Sequence, residues 1–308
     1  MIYTVTLNPA LDRAIDLEEL VTDDANRIQS ETRYAGGKGI DASRLIKTLG
    51  GESIALGFVG GFHGMELEHL LLRQGVQCDF IETRGETRTN ILIFEKKKNT
   101  HTSLNASGQV VNEVEISELL KKMETVENPA YVIVSGSVPK EVPENIYKEI
   151  VGLAKGRGAI VALDADDKVM KAGLEAKPHI IKPNMHELER ITGREIHGVN
   201  DAVAAARDLQ KKGIEIVLVT MGKEGALLVT DSLAARAIAP EVVVQSTVGA
   251  GDCFLAAFIL AHSRGQGLLD CLRLAAATGS AASITPGTEL ARKSDVDSLY
   301  PRVLIEEI

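Results

Sequence analysis

From about residue 130 onward, short runs rich in Val and Ile alternate with helix-like stretches, and no other feature constrains the fold of this chain as strongly. Ala130-Tyr131-Val132-Ile133-Val134 precedes a helical stretch beginning near Pro143. Ala159-Ile160-Val161-Ala162-Leu163 precedes another near Asp167, and Ile214 to Val219 follows a third. A strand reads as an unbroken apolar run only when both faces of its sheet are covered, and a helix between two such strands returns the chain so that they lie parallel. The sequence therefore predicts an α/β body, a mainly parallel sheet sandwiched by helices, over the single domain 1–308.

Two stretches, about 12–35 and about 85–106, break this rhythm. Both alternate as half-buried strands do, as in Thr89-Asn90-Ile91-Leu92-Ile93-Phe94, with no helix between neighbouring strands. They predict a small antiparallel flap, a β-sheet lid inserted into the body. The run Lys96-Lys97-Lys98-Asn99 reads as the solvated tip of its hairpin, which blunts an edge, rather than as a phosphate-binding patch. No linker or internal repeat divides the chain.

Composition narrows the partners. With 44% hydrophobic residues a sizeable core is affordable, while 34 Lys+Arg against 43 Asp+Glu give a net charge of −9. Aromatics are only 4% and Trp is absent, so both the basic field and the stacking platforms of a nucleic-acid binder are missing. No run approaches the ~18 apolar residues of a membrane span, and Met1 to Leu7 lack a charged leader. Cys78, Cys253 and Cys271 are odd in number and widely spaced, which points to a reducing, cytoplasmic setting without a disulfide framework. Cys253 falls on the apolar stripe Ala250, Cys253, Phe254, Ala257, Phe258 and Ala261 of an amphipathic helix, and an Ala-rich helix is expected from Leu268 to about Ser283.

Three short motifs carry chemistry. Ser246-Thr247-Val248-Gly249-Ala250-Gly251-Asp252 places glycines at the start of that helix, where outward backbone N–H groups and the helix dipole stabilise an anion. Asp252 beside it reads either as a base for an attacking hydroxyl or as an ordinary acidic residue of a first helical turn. Ala35-Gly36-Gly37-Lys38-Gly39-Ile40-Asp41 lacks the spacing of a Walker P-loop and reads as a close backbone approach to a small ligand or as a plain helix start. In Lys182-Pro183-Asn184-Met185-His186-Glu187, Asn184 and Glu187 fit either a capping box or a water-mediated Mg²⁺ site, and His186 has no role.

Taken in order, Gly36-Gly37-Lys38-Gly39, Ser135-Gly136-Ser137-Val138-Pro139, Lys182-Pro183-Asn184 with Glu187, Thr220-Met221-Gly222-Lys223-Glu224-Gly225-Ala226 and Thr247 to Asp252 resemble the ribokinase and PfkB family of carbohydrate kinases. Thr6 to Asp12 and Gly85 to Asn90 resemble the branch containing 1-phosphofructokinase, tagatose-6-phosphate kinase and the minor 6-phosphofructokinase. The resemblance implies a ribokinase-like fold and an ATP- and Mg²⁺-dependent phosphorylation of a ketohexose phosphate. Fructose 1-phosphate is the first candidate, with fructose 6-phosphate or tagatose 6-phosphate next and a catalytically silent sugar or nucleotide sensor as the contrasting class.

It also implies roles. Asp252 is the catalytic base, and Gly249, Ala250 and Gly251 form the anion hole. Asp12, Gly37, Lys38 and Asp41 contact the sugar, while Arg88, with Arg27, Lys38 and Ser137, holds its phosphate. Lys182, Asn184, Thr220, Gly222 and Gly225 lie along the ATP site, and Asn184 and Glu187 organise Mg²⁺ through water. Some members take a monovalent cation, and many pair their lids into a homodimer. Two positions depart from the pattern. Asp41 stands where Asn is usual, replacing a group that donates and accepts by one that, when ionised, only accepts. Asp164-Ala165-Asp166 stands where Asp is usually followed by small hydroxyl residues.

Overall fold

The computed structural model describes residues 1–308, the side chain of Asp167 excepted. In chain order the first elements are β1 (Ile2–Thr6), β2 (Ala10–Leu17), β3 (Ser30–Gly36), α1 (Lys38–Thr48), β4 (Ser53–Val59), α2 (Gly61–Arg73), β5 (Gln77–Cys78), β6 (Ile81–Glu82), β7 (Arg88–Glu95) and β8 (Thr100–Leu104). There follow α3 (Glu113–Thr125), β9 (Tyr131–Ser135), α4 (Ile146–Gly156), β10 (Ile160–Asp164), α5 (Asp167–Leu174), β11 (Ile180–Ile181), α6 (Met185–Thr192), α7 (Val199–Lys211) and β12 (Ile216–Thr220). The last are β13 (Ala226–Val229), β14 (Ala234–Ile238), α8 (Ala250–Ser263), α9 (Leu268–Ser283), α10 (Lys293–Leu299) and β15 (Leu304–Glu307).

The main sheet has 11 strands in the order β15-β14-β13-β12-β11-β10-β9-β1-β4-β5, with β6 also on β4. It is parallel from β5 to β12 and antiparallel from β12 to β15. Successive residues of a strand point to opposite faces, so each apolar run feeds two cores. On β9, Tyr131 and Ile133 enter the core under α1, α8, α9 and α10, whereas Val132 and Val134 enter the one under α3, α4 and α7.

One expectation about the core changes. The stripe on α8 is not bounded by a polar face: every residue from Cys253 to Ala261 is buried. α8 packs between α1 and α9 in the core they share with one face of the sheet, and a helix covered on all sides needs no solvated stripe.

The small sheet, in the order β3-β2-β7-β8, is built from the two stretches that broke the rhythm. It is mixed rather than antiparallel. β2 pairs antiparallel with β3, and β7 with β8, but β2 and β7 run parallel with Asp12 opposite Asn90. No hairpin joins β2 to β7; the chain passes through β4 and α2 of the body between them, and that detour brings β7 back in the same direction. At the β7–β8 turn, Lys96 donates to Gln29 (2.7 Å), Lys97 pairs with Glu19 (2.6 Å) and Lys98 with Glu95 (3.0 Å), as suits a hairpin tip.

Candidate active site

The predicted motifs converge on one edge of the main sheet. Thr6 ends β1, Ser135 ends β9, Asp164 ends β10, Lys182 follows β11 and Thr220 ends β12, all at carboxyl ends of parallel strands. The chain order reverses direction between β1 and β9, and it is at such a crevice that open α/β sheets bind ligands. α1 starts over this crevice. Gly37, its N-cap, has φ 123°, a conformation that side chains other than glycine avoid, and a Cβ on Gly39 would stand 2.5 Å from the Thr6 hydroxyl and 3.2 Å from that of Ser135.

A chain of opposite charges crosses the crevice. Asp164 is fully buried, with Lys38 Nζ 3.3 Å from Oδ1 and Lys182 Nζ 3.0 Å from Oδ2. Lys38 also meets Asp166 at 3.1 Å. The second departure from the family pattern thereby acquires a function in the structure, since Asp166 gives Lys38 another carboxylate at the solvent side. Burial disfavours ionised Asp164, but the two ammonium groups outweigh it and hold its carboxyl below the usual range. Lys38 is held above the ordinary lysine range: burial opposes its charge, and Asp164, Asp166 and Asp252 outweigh burial.

Asp252 stands in the first turn of α8. Burial and the negative charge of Asp164 push its carboxyl up to about 7, against the opposing pull of Lys182 and Lys38. Gly249 caps the helix with φ 76°, the left-handed turn that opens its N-terminus, and Ser246 braces the approach by donating to the Gly287 carbonyl (2.8 Å) and accepting from Val248 N–H (3.2 Å). Among the described residues the N–H groups of Gly249, Gly251 and Asp252 meet no acceptor. Lys182 lies close enough that a Cβ on Gly251 would stand 3.3 Å from its Nζ. Open N–H groups, an ammonium and a carboxyl poised near neutrality therefore share one spot, suited to taking a proton from a hydroxyl while holding phosphoryl charge.

On the other side of the crevice the small sheet contributes Asp12 and Arg88. Burial lifts the Asp12 carboxyl above its ordinary range, moderated by the Asn90 hydrogen bond and by the charges of Arg88 and Arg44. Arg88 donates to the carbonyls of Ala106 (2.7 Å), Asn8 (2.8 Å) and Pro9 (3.4 Å), which leaves the remaining donors of its fork for an anion. Asn8 in turn donates to Ser137 Oγ at 3.1 Å. Asp41 is paired with Arg44 at 2.9 Å, yet burial and the nearby Asp252 and Asp12 hold its carboxyl well above the usual range. Arg27 is not brought into this group. It lies exposed in the β2–β3 connection, at the end of the hairpin where Asp16 faces Ser30, whereas the site lies at the opposite end, where Ala10 faces Gly36.

Thr220, Asn184, Glu187, Gly222 and Gly225, expected along ATP and Mg²⁺, lie around the ends of β11 and β12. Thr220 N–H donates to the Pro183 carbonyl (3.1 Å), and Thr220 and Asn184 form a parallel bridge. Asn184 and Glu187 make a capping box: Asn184 Oδ1 accepts from Glu187 N–H (2.9 Å) and Glu187 Oε2 from Asn184 N–H (2.8 Å). Gly222 and Gly225 close the turn after β12, with Met221 N–H donating to the Gly225 carbonyl (2.9 Å). Among the described residues no group of three or more His, Cys, Asp or Glu stands in metal-ligand geometry.

Asp164, Asn8, Asn90 and Arg44 hold the site together although no role was expected of them: Asn8, Asn90 and Asp164 lie in stretches compared with the family pattern, and Arg44 lies in none. A physical signal for Asp164 is its placement at the end of an apolar run, where an ionisable residue is expensive unless partnered.

Comparison with known proteins agrees with this arrangement. Residues 5–294 match the pfkB family carbohydrate kinase profile. The chain is 34% identical to a 1-phosphofructokinase of Bacillus subtilis over 308 residues, covering 100% of both chains. It is 32% identical to a D-tagatose-1-phosphate kinase of Bacillus licheniformis, over 93% of this chain and 94% of that one. Among solved structures it is similar to the Phosphofructokinase-2 of Escherichia coli in complex with potassium, with a TM-score of 0.94 and 30% identity over 98% of each chain.

Proposed function

Because the chain belongs to the pfkB family of carbohydrate kinases, we propose that this site transfers the γ-phosphoryl group of ATP to a hydroxyl of a ketohexose phosphate, converting fructose 1-phosphate to fructose 1,6-bisphosphate. The chain is a phosphotransferase with an alcohol acceptor, and its fold is ribokinase-like. The observation that carries the reaction is the Asp252 carboxyl, held near neutrality beside open N–H groups at the α8 N-terminus.

In this reading Asp252 takes the proton of the attacking hydroxyl, and the N–H groups of Gly249 and Gly251, with Ala250 between them and Lys182 alongside, hold the charge on the phosphoryl group in flight. Asp12, Gly37, Lys38 and Asp41 orient the sugar, and Arg88 and Ser137 receive its phosphate. Arg27 reaches a phosphate only from outside its own site, as through a second copy paired at the small sheet. Thr220, Gly222 and Gly225 border the nucleotide. The capping box uses Asn184 Oδ1 and Glu187 Oε2 and leaves Glu187 Oε1 free, which fits a hydrated Mg²⁺ held through water. Bound there, Mg²⁺ would offset phosphate charge. For a monovalent cation the support is the potassium complex of the E. coli neighbour. The small sheet acts as the lid that excludes water. No helix among the described residues is long and apolar enough to cross a membrane, and the cytoplasmic setting is proposed from the odd number and wide spacing of the cysteines.

Release of ADP measured across fructose 1-phosphate, fructose 6-phosphate, the tagatose phosphates and unphosphorylated sugars tests the reading. Fructose 1-phosphate should give the highest kcat/KM. Preference for a tagatose phosphate would favour the second reading, which the B. licheniformis relative supports, and no ADP with any sugar would make the protein a sensor.

Two further outcomes follow. Since the base must be ionised, kcat should rise with pH through about 7 and fall below it, as measured in a buffer series with saturating substrates. Arg88→Ala should raise KM for the phosphosugar by about tenfold or more and also lower Tm, because it frees three backbone carbonyls. An unchanged KM would point to an unphosphorylated sugar.

A further inference from the structure

Asn90 is buried on β7, directly opposite Asp12 on β2 and two residues from Arg88 on the same face of the small sheet. Its Oδ1 accepts from Ala106 N–H at 3.1 Å, and its Nδ2 donates to Asp12 Oδ1 at 2.8 Å. The orientation of the amide is set by its partners: a backbone N–H can only donate, so the oxygen must face Ala106 and the NH₂ must face the carboxylate. Asp12 Oδ2 occupies space beside Gly36 that a side chain would fill, since a Cβ there would stand 2.2 Å away. The carboxylate is thus held by a hydrogen bond at Oδ1, from Asn90, while the missing side chain of Gly36 leaves room for Oδ2.

Ala106 belongs to the segment that returns the chain from β8 to the body. Asn90 holds its N–H, Arg88 holds its carbonyl (2.7 Å) and Asn8 holds the next carbonyl, Ser107 (3.3 Å). A single amide therefore connects the return segment of the small sheet to Asp12.

We infer that Asn90 is a positioning residue, which acts through Asp12 to set how tightly the phosphosugar is held and couples that grip to the seating of residues 105–108. The inference rests on the reading that Asp12 contacts the sugar.

The test is a cycle of Asn90→Leu, Asp12→Asn and the double variant, with KM for fructose 1-phosphate, KM for ATP and kcat measured for each, and melting curves to establish folding. Asn90→Leu should raise KM for the phosphosugar about tenfold, the effect of losing a hydrogen bond to a charged group, with KM for ATP unchanged. In the Asp12→Asn background the same change should add little, because both act through one carboxylate. If Asp12→Asn raises KM while Asn90→Leu does not, or if the two effects multiply independently, the positioning role is wrong. If Asp12→Asn itself leaves KM unchanged, the sugar-contact reading has failed and the inference with it. Asn90→Ala, which leaves room for water in place of the amide, carries the same comparison should Asn90→Leu not fold.

Discussion

Asp252→Asn should lower kcat by about 10²- to 10⁴-fold, the range contributed by a positioned general base, while the dissociation constant of MgATP changes little. The substitution keeps the size of the side chain and removes only its capacity to take a proton. The surroundings tolerate it well: burial and the charge of Asp164 already oppose ionised Asp252, so a neutral amide relieves repulsion and should leave Tm unchanged or raised. Loss of turnover without loss of stability or nucleotide binding is the signature of a group used in the reaction alone. Near-normal kcat in that variant would remove Asp252 from the chemistry. Comparison of single-turnover rates with MgATP binding by calorimetry separates these outcomes.

Asp164→Ala should have the largest effect on stability. The carboxylate is 1% exposed and joins two lysines, one of them, Lys182, itself only 6% exposed. Removing one partner of a buried ion pair leaves an uncompensated charge, which costs about 3–5 kcal/mol. For a chain of 308 residues that corresponds to a fall in Tm of roughly 5–8 °C. The same change removes the negative neighbour that lifts Asp252, so the acid limb of the pH profile should move below pH 7. Asp164→Asn should fall between the two, since it keeps an acceptor for Lys38 and Lys182 but not the charge. A variant that melts with the parent protein would show that the lysines find other partners, most directly Asp166 and Asp252.

Much of the architecture is legible along the chain because its signals are local. The apolar runs ending at Val134, Leu163 and Val219 are strands of the parallel sheet, and the Ala-rich stretch expected from Leu268 to about Ser283 is α9. The glycine turns before Lys38 and Ala250 mark two helix starts, since positive φ is a property of a single residue and needs no tertiary information. The Asn184 and Glu187 pair is ambiguous along the chain for the opposite reason. A capping box and a water-mediated metal site demand the same two oxygens at the same spacing, and the structure contains the box while leaving one oxygen spare.

Other features depended on contacts that periodicity does not carry. The apolar stripe on α8 has the spacing of one face of an amphipathic helix, although the helix is enclosed by α1, α9 and the core it shares with the sheet and has no solvated face along its buried length. Strand-like alternation in 12–35 and 85–106 revealed a separate sheet but not that its two central strands are parallel, because direction depends on the path taken through the body. Arg27, in the β2–β3 connection, and Arg88, on β7, are both basic residues of that flap, yet one lies exposed at its far end and the other against Asn8 at the crevice.

What the sequence by itself determined is the layered α/β body, the inserted small sheet and the identity and order of the motifs, all of which follow from short-range apolar patterning and turn chemistry. Only the tertiary structure decided which charges meet. Lys38 and Asp164 are 126 residues apart, and they touch because β1 and β9 are neighbours at the point where the strand order reverses, with β10 beside β9. That adjacency brings Lys38, Asp164, Lys182 and Asp252 into one network of charges, buried at Asp164 and Lys182 and half-buried at Lys38 and Asp252. It also moves the Asp252 carboxyl to about 7, a property of the field at that place in the fold and not of any motif along the chain.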